Sequence, residues 1–221
     1  MFRRWLKVLY QIYFSFAKYF IYPNCIVRSN FILPGVKLGR GVIIFEGCKI
    51  YSNVEIGDHT FINEHTRIDP NTTSIGKYCS ISHGVKIGLG PHPLTFVSTS
   101  PVFYSPSRGY VTEKKYDEFA VKGYTEIGHD VFIAANAIIL AGVKVGTGAV
   151  VTASSVVVKD VPPYAVVSGN PAKILKYRFQ PDEIEKLLAS QWWLKSPEEL
   201  LRQPDAMTSI QNFLKIAESI K

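Results

Sequence analysis

From residue 38 onward an aliphatic side chain recurs at every sixth position: Leu38, Ile44, Ile50, Ile56, Ile62 and Ile68. After one extra residue the series continues with Ile75, Ile81 and Ile87, and after a longer break with Ile127, Ile133, Ile139, Val145, Val151 and Val157. A helix repeats every 3.6 residues and cannot produce this spacing. Two positions before each aliphatic sits a small or β-branched residue: Val36, Val42, Cys48, Val54, Thr60, Thr66, Thr73, Cys79 and Val85, then Thr125, Val131, Ala137, Val143, Ala149 and Ser155. Residues two apart lie on one side of a strand, so each repeat reads as a short strand followed by a turn. Three repeats close one triangular coil, and the stacked aliphatics become the core. The chain is thus expected to be an all-β solenoid of about five parallel coils, three before the break and two after it. Glycines follow the aliphatic at Gly39, Gly57, Gly76, Gly88, Gly128 and Gly146, where they are expected to accommodate unusual backbone angles. Cys48 and Cys79 fall at the small inward positions and receive no catalytic role.

This repeat resembles the hexapeptide-repeat acyltransferases over residues 36–178. The resemblance implies a left-handed parallel β-helix, against the usual right-handed crossover rule, and a homotrimer with active sites between neighbouring prisms. The organisation expected is an amphipathic helical segment over 1–30, a β-helix over 31–178 with a loop insertion at 91–124, and a C-terminal helical cap over 179–221. In the cap, Pro181-Asp182-Glu183 and Ser196-Pro197-Glu198-Glu199 are helix starts, and a third helix is expected over residues 205–220. These helices are read as shielding the edge of the last coil.

The net charge of +7 is not spread evenly. Residues 1–45 hold Arg3, Arg4, Lys7, Lys18, Arg28, Lys37 and Arg40 and no acid, and the remainder balances at 18 basic against 18 acidic residues. A neutral body excludes a basic nucleic-acid-binding domain. On a helix over residues 1–22, Arg3, Lys7, Gln11, Ser15 and Lys18 form one polar stripe. The longest uncharged run, Val8 to Ala17, is too short to span a bilayer. No small-x-small cleavage pattern follows it, because Tyr19, Phe20, Ile21 and Tyr22 are all bulky. Two readings stay open. The segment lies in a membrane interface with its cations on lipid phosphates, or it caps the apolar end of the prism. Three cysteines, Cys25, Cys48 and Cys79, without a Cys-x-x-Cys pair, point to a reducing compartment. The expected location is cytoplasmic, with peripheral contact to the inner face of the membrane as an open question.

Residues 91–124 interrupt the repeat. Phe96, Phe103, Tyr104, Tyr110, Tyr116, Phe119 and Tyr124 run through this segment, so it reads as an ordered excursion rather than a disordered linker. It opens Gly88-Leu89-Gly90-Pro91-His92-Pro93 and proceeds through Ser98-Thr99-Ser100-Pro101-Val102-Phe103-Tyr104. This is similar to the xenobiotic-acetyltransferase branch of the family and to its relatives in surface-polysaccharide biosynthesis. The resemblance implies that His92 is the general base. Imidazole suits the removal of a hydroxyl proton near neutral pH, and direct transfer requires no acyl-enzyme. His83 remains a rival base. His59 and His65 belong to different prism faces and His129 follows a turn, so no converging trio and no metal is expected.

The run Ile127-Gly128-His129-Asp130-Val131-Phe132-Ile133-Ala134-Ala135 resembles the family's segment beside the pantetheine arm of coenzyme A. The resemblance places backbone N–H groups at Ala134 and Ala135 near the thioester carbonyl. Phe132 stands where the family often has Trp, and Ala134 where Gly is common. Ala153, Val158 and Lys159, then Lys173 and Lys176 after Gly169-Asn170-Pro171-Ala172, match further coenzyme A positions. Asn63 and Tyr104 are the candidate acceptor contacts. The function expected is acetyl-coenzyme-A-dependent O-acetylation of a small-molecule or lipid-linked sugar in surface-polysaccharide assembly. The alternatives are N-acetylation of a nucleotide-linked amino sugar, O-acetylation of an antibiotic, and a catalytically silent β-helix serving assembly or membrane docking.

Overall fold

The computed structural model describes residues 2–51, 53–202 and 205–219, without the side chains of residues 2–8, 11, 118, 119 and 215–219. The stripe positions Arg3, Lys7 and Gln11, the ring of Phe119 and the expected helix end at Ile220 therefore lie outside the described residues. The rest forms a triangular prism of parallel coils. The first face stacks Ile26–Val27, Ile43–Ile44, Phe61–Ile62, Ser80–Ile81, Phe132–Ile133, Val150–Val151 and Ala165–Gly169 in parallel, and Ala172–Tyr177 adds to Ala165–Gly169 antiparallel. The second face stacks Lys49–Ile50, Arg67–Ile68, Lys86–Leu89, Ile138–Leu140 and Val156–Val157. The third stacks Lys37–Leu38, Glu55–Ile56, Thr72–Ile75, Thr125–Ile127 and Lys144–Val145. Isolated bridges Ile32–Ile50 and Val145–Val161 extend the second and third faces by one rung each. The seven parallel strands of the first face make six full coils and the start of a seventh. The coils outside the regular repeat, around Ile26 and Val161, are the ones that spacing alone omits.

The aliphatic columns form the core: Ile44, Ile50, Ile62, Ile68, Ile81, Ile87, Ile133, Ile139 and Val151 are fully buried. The small inward positions hold with one exception. Thr72 is buried at 1% exposure, whereas Thr73 is half-exposed. Thr72 pairs with Thr125 and Ser74 with Glu126, so the extra residue of the series is absorbed as a bulge that turns Thr73 outward.

Of the glycines that follow the aliphatic, Gly88 takes a left-handed φ (77°) as expected, and the other five do not. Left-handed φ angles occur three residues before the aliphatic, at Asn53 (64°), His59 (57°), His65 (58°), Tyr78 (59°), Asp130 (52°) and Asn136 (59°). Gly57, Gly76, Gly128 and Gly146 have no such angle and stack in one column where the third face turns into the first. There a Cβ on Gly57 would lie 2.7 Å from the carbonyl carbon of Gly76, and one on Gly76 would lie 2.7 Å from the His129 nitrogen. Their role is to admit the next coil at close range, not to supply a backbone angle.

Both ends of the prism are closed. Helix α1, Phe2–Ile21, lies across the first coil, with Phe14 (2% exposed) in the core. The first coil has no coil beneath it, so some of its carbonyls lack a ladder partner. Tyr10 Oη donates to the Ile32 carbonyl (2.8 Å) and Tyr22 Oη to that of Val36 (2.9 Å). Lys18 Nζ donates to Asn30 Oδ1 (2.9 Å) and to the carbonyls of Arg28 (3.3 Å) and Ser29 (3.4 Å). Lys18 is thus 5% exposed, not part of a solvated stripe, and burial pushes its ammonium below the usual lysine range.

At the other end the strand Ala172–Tyr177, rather than a helix, covers the last edge. The helices Pro181–Ser190, Pro197–Leu200 and Ile210–Ser219 instead flank the side of the prism, with residues 205–208 forming a turn before the last of them. Tyr164, Leu187, Trp192, Trp193 and Phe213 form their core. Trp193 stacks on His129 at 5.0 Å, and Lys77 N–H donates to His129 Nδ1 (3.0 Å), which puts the ring proton on Nε2. Burial, and then the charge of Lys77, hold His129 below the usual 6.5. On acidification the unfolded chain takes up this proton first, so stability is lost as pH falls from 6.5 towards the lower folded value. Thermal melts between pH 7.5 and about 5 should show this loss, and His129→Gln should remove part of the slope. An unchanged slope would contradict the assignment.

Candidate active site

The second face leads into the loop. The strand Lys86–Leu89 ends at the corner between the second and third faces, and the chain returns at Thr125 on the third face. Between them lie short 3₁₀ turns at Pro101–Phe103 and Pro106–Arg108 and the helix Glu118–Lys122. Phe96, Tyr104 and Tyr116 pack edge to face at 5.6–6.3 Å, so the excursion has its own small aromatic core.

His92 stands on this core beside a cavity of about 380 Å³ lined by Tyr51, Arg67, Asn71, Tyr104, Arg108 and Lys114, among others. Its Nδ1 lies 2.8 Å from the Thr99 carbonyl and 2.9 Å from Tyr104 Oη. A carbonyl only accepts, so the Thr99 contact requires the proton on Nδ1, and Nε2 then carries the lone pair. The Tyr104 oxygen shares that proton as a second acceptor. Tyr104 is 8% exposed, so it backs the histidine more than it offers a ring face to a sugar. Arg67 is tied to Asp69 through Nε (2.8 Å) and Nη2 (2.7 Å), with its guanidinium 4.8 Å from the Tyr51 ring.

Asn71 is a site residue that the sequence reading passed over. It is 3% exposed; its Nδ2 donates to the Gly88 carbonyl (3.1 Å), and its own carbonyl accepts from Thr125 N–H (2.7 Å). One side chain and one peptide thus tie together the departure and the return of the loop. The available signal was the single extra residue of the repeat, which falls there. Asn71→Ala removes the donor to Gly88, and kcat should fall on the order of tenfold, since a misplacement of about 1 Å can cost as much as a hundredfold. Steady-state kinetics with a thermal melt checks this. Unchanged kcat would mean that the loop stems hold without it.

The expected coenzyme A positions lie elsewhere. Ala134, Ala135 and Ala153 follow first-face strands, at the corner between the first and second faces, together with Asn63 and His83. Lys173 and Lys176 are exposed on the added strand, where Lys173 pairs with Ser168 at the top of that same corner. Val158 and Lys159 are exposed two strands above Lys86–Leu89 on the second face, past Val156–Val157. None of these seven residues lines the His92 cavity. The Ala134 N–H already donates to the Val151 carbonyl (2.9 Å), so it is not an available oxyanion donor. Ala135 and Ala153 donate no backbone hydrogen bond among the described residues, which leaves both N–H groups for a ligand. With Lys173, Ile174, Leu175 and Lys176 exposed above them, this corner offers N–H donors, apolar surface and cations, a set that fits a thioester on a long phosphorylated arm. Asn63 Oδ1 accepts from Glu64 N–H (2.8 Å), as a turn residue does. His83 lies along the same corner, away from the loop cavity.

A wider groove of about 720 Å³ runs along the glycine column and is lined by Gly57, Gly76, Gly128, Gly146, Lys77 and His129. It exists because four successive coils carry no side chain there. His129 Nδ1 is already an acceptor for Lys77, so the groove presents no free imidazole base. Cys48 and Cys79 donate to main-chain carbonyls, and burial pushes their thiols up to about 11 and about 12. Among the described residues no three His, Cys, Asp or Glu side chains converge as a metal site.

Residues 35–70 match the bacterial transferase hexapeptide (six repeats) family. The chain is similar to a probable macrolide acetyltransferase of Lysinibacillus sphaericus, 39% identical over 137 residues that cover 61% of this chain and 76% of that one. It is also similar to a chloramphenicol acetyltransferase of Klebsiella aerogenes, 41% identical over 129 residues, which are 57% of this chain and 61% of that one, less than two thirds of its length. An N-acyltransferase from Bacillus cereus, solved in complex with dTDP and coenzyme A, has the same fold with a TM-score of 0.55, 20% identity, and coverage of 75% of this chain and 84% of that one. With its stacked six-residue coils and its 39% identity over three quarters of the macrolide acetyltransferase relative, the chain belongs to the hexapeptide-repeat acetyltransferases, whose prism is the left-handed parallel β-helix.

Proposed function

We propose that this protein transfers an acetyl group from acetyl-coenzyme A directly to a sugar hydroxyl, as a cytoplasmic enzyme of surface-polysaccharide assembly. The observation that carries the reading is His92, whose Nδ1 is held by the Thr99 carbonyl so that Nε2 is left as a base beside a cavity. Acetyl-coenzyme A supplies the acetyl thioester. His92 Nε2 takes the acceptor proton as the hydroxyl oxygen bonds to the acetyl carbon, and returns it to the departing sulfur, so no acyl-enzyme is formed. The N–H groups of Ala135 and Ala153 are the donors for the carbonyl oxygen and the amides of the arm, and Lys173 and Lys176 meet its phosphates.

His92 and this donor set lie at different corners of one prism, and His92 is exposed in a single copy. The reading therefore needs a homotrimer, in which the His92 corner of one copy faces the Ala135 corner of the next. Arg108, exposed where it lines the cavity, gives a phosphate-linked sugar a place for its charge. The second reading, acetylation of an antibiotic hydroxyl, is favoured by the 39–41% identity to macrolide and chloramphenicol acetyltransferases. Release of free thiol from acetyl-coenzyme A, measured with sugars, amino sugars, chloramphenicol and a macrolide as acceptors, separates them. Turnover on the sugars is expected. Turnover confined to the antibiotics or to the amino sugars would overturn the proposal.

A further inference from the structure

The inner side of α1 is fully used by the prism: Tyr10, Phe14 and Lys18 face the first coil, and Tyr22 follows just beyond the helix. The opposite side carries Leu9, Ile12, Tyr13, Phe16, Tyr19 and Phe20, which are 55–86% exposed. Positions 9, 12, 13, 16 and 20 form one continuous helical stripe, a concentration of large apolar surface that a solvated face does not need.

The geometry points to an anionic lipid bilayer as the occupant of this face, with α1 lying in the membrane interface and the prism standing on its N-terminal end. No helix among the described residues is long and apolar enough to cross a membrane, so the contact is in-plane. Charge selects lipid over a second copy. Residues 1–45 contain seven cations and no acid, so two such segments repel each other, whereas acidic headgroups attract them. Lys18 takes no part, because its ammonium is spent inside the cap. Arg28 and Lys37 have carboxylates near them, Glu46 at 3.8 Å and Glu55 at 3.9 Å. The cations left on α1 itself are at positions 3, 4 and 7.

The stance has a consequence for the acceptor, which rests on the function proposed above. His92 follows Lys86–Leu89, three rungs above the Ile32 bridge on the second face. At about 4.8 Å per rung and a helix about 10 Å thick, the cavity stands roughly 25 Å from the lipid. An acceptor carried by the membrane must project that far, as a sugar on an extended lipid-linked chain does.

Flotation of the full chain with phosphatidylcholine vesicles, with and without about a third phosphatidylglycerol, tests the docking independently of catalysis. The chain should float with the anionic vesicles and much less with the neutral ones. Phe16→Ser/Phe20→Ser should reduce flotation at least tenfold with an unchanged thermal midpoint, because both side chains are largely exposed, at 72% and 86%. A control at an exposed leucine elsewhere, Leu201→Ser (62% exposed), should float as the parent does. Absence of flotation, or full flotation of the double variant, would overturn the proposal. So would a fall in oligomeric state in the double variant, which would assign the face to a second copy. Thiol release with soluble acceptors is read separately, so failure of the docking and failure of the proposed reaction are distinguishable.

Discussion

His92→Ala is expected to lower kcat by about 10²–10⁴-fold, the usual worth of a positioned general base, with little change in the KM for acetyl-coenzyme A and no change in the melting temperature. The ring is exposed in a single copy, and its contacts with Thr99 and Tyr104 lie within the loop, so its removal leaves the coils intact. The same geometry makes a second, opposite demand on its neighbour. If Nδ1–H donates to the Thr99 carbonyl, the tautomer is fixed without Tyr104, and Tyr104→Phe should cost less than about tenfold, the worth of one shared hydrogen bond. A rate that rises in Tyr104→Phe would contradict this tautomer, because it would mean that Tyr104 donates to Nδ1 and holds the proton on Nε2. The two variants measured side by side with thiol release decide between these arrangements. An active His92→Ala enzyme with an intact fold would remove His92 from the mechanism altogether.

The core was legible because stacking leaves it no freedom: three aliphatic columns, one from each face, fill the inside of the prism, and every coil must supply them. The loop was legible as a break in those columns. What was not legible depends on partners distant in sequence. Lys18 reads as a solvated cation until the carbonyls of Arg28 and Ser29 are seen to lack a coil beneath them. Ala134 and Ala135 look equivalent in sequence, yet the ladder takes the N–H of the first and leaves that of the second. Thr73 continues the two-residue rule on paper, but the bulge that absorbs the extra residue hands its place to Thr72. Each of these errors concerns which of two adjacent groups a distant element engages, and local spacing carries no record of that.

The glycine column gives the sharpest stability test, because a Gly in a turn is read by default as a backbone-angle requirement. Gly76 has no left-handed φ, so its backbone angle does not exclude alanine. What is missing is space: a Cβ on Gly76 meets the carbonyl of Gly128 and lies 2.5 Å from its carbon, and these are backbone atoms that cannot rotate away. The fourth coil must lift from the third or tilt, and that strains ladder hydrogen bonds such as Gly76 N–H to the Ile127 carbonyl (2.9 Å). Overpacking of this kind costs about 1–3 kcal/mol and sometimes more, or roughly 3–10 °C in a chain of this size. Gly109 supplies the contrast. Its φ of 82° disfavours a side chain, but a Cβ there meets no atom within 4 Å, so Gly109→Ala isolates the angular cost, about 1 kcal/mol. Gly76→Ala should therefore be clearly the more damaging of the two in urea or thermal melts, although it is the one with the permissive backbone. Equal losses would mean that the column is kept for turn geometry after all.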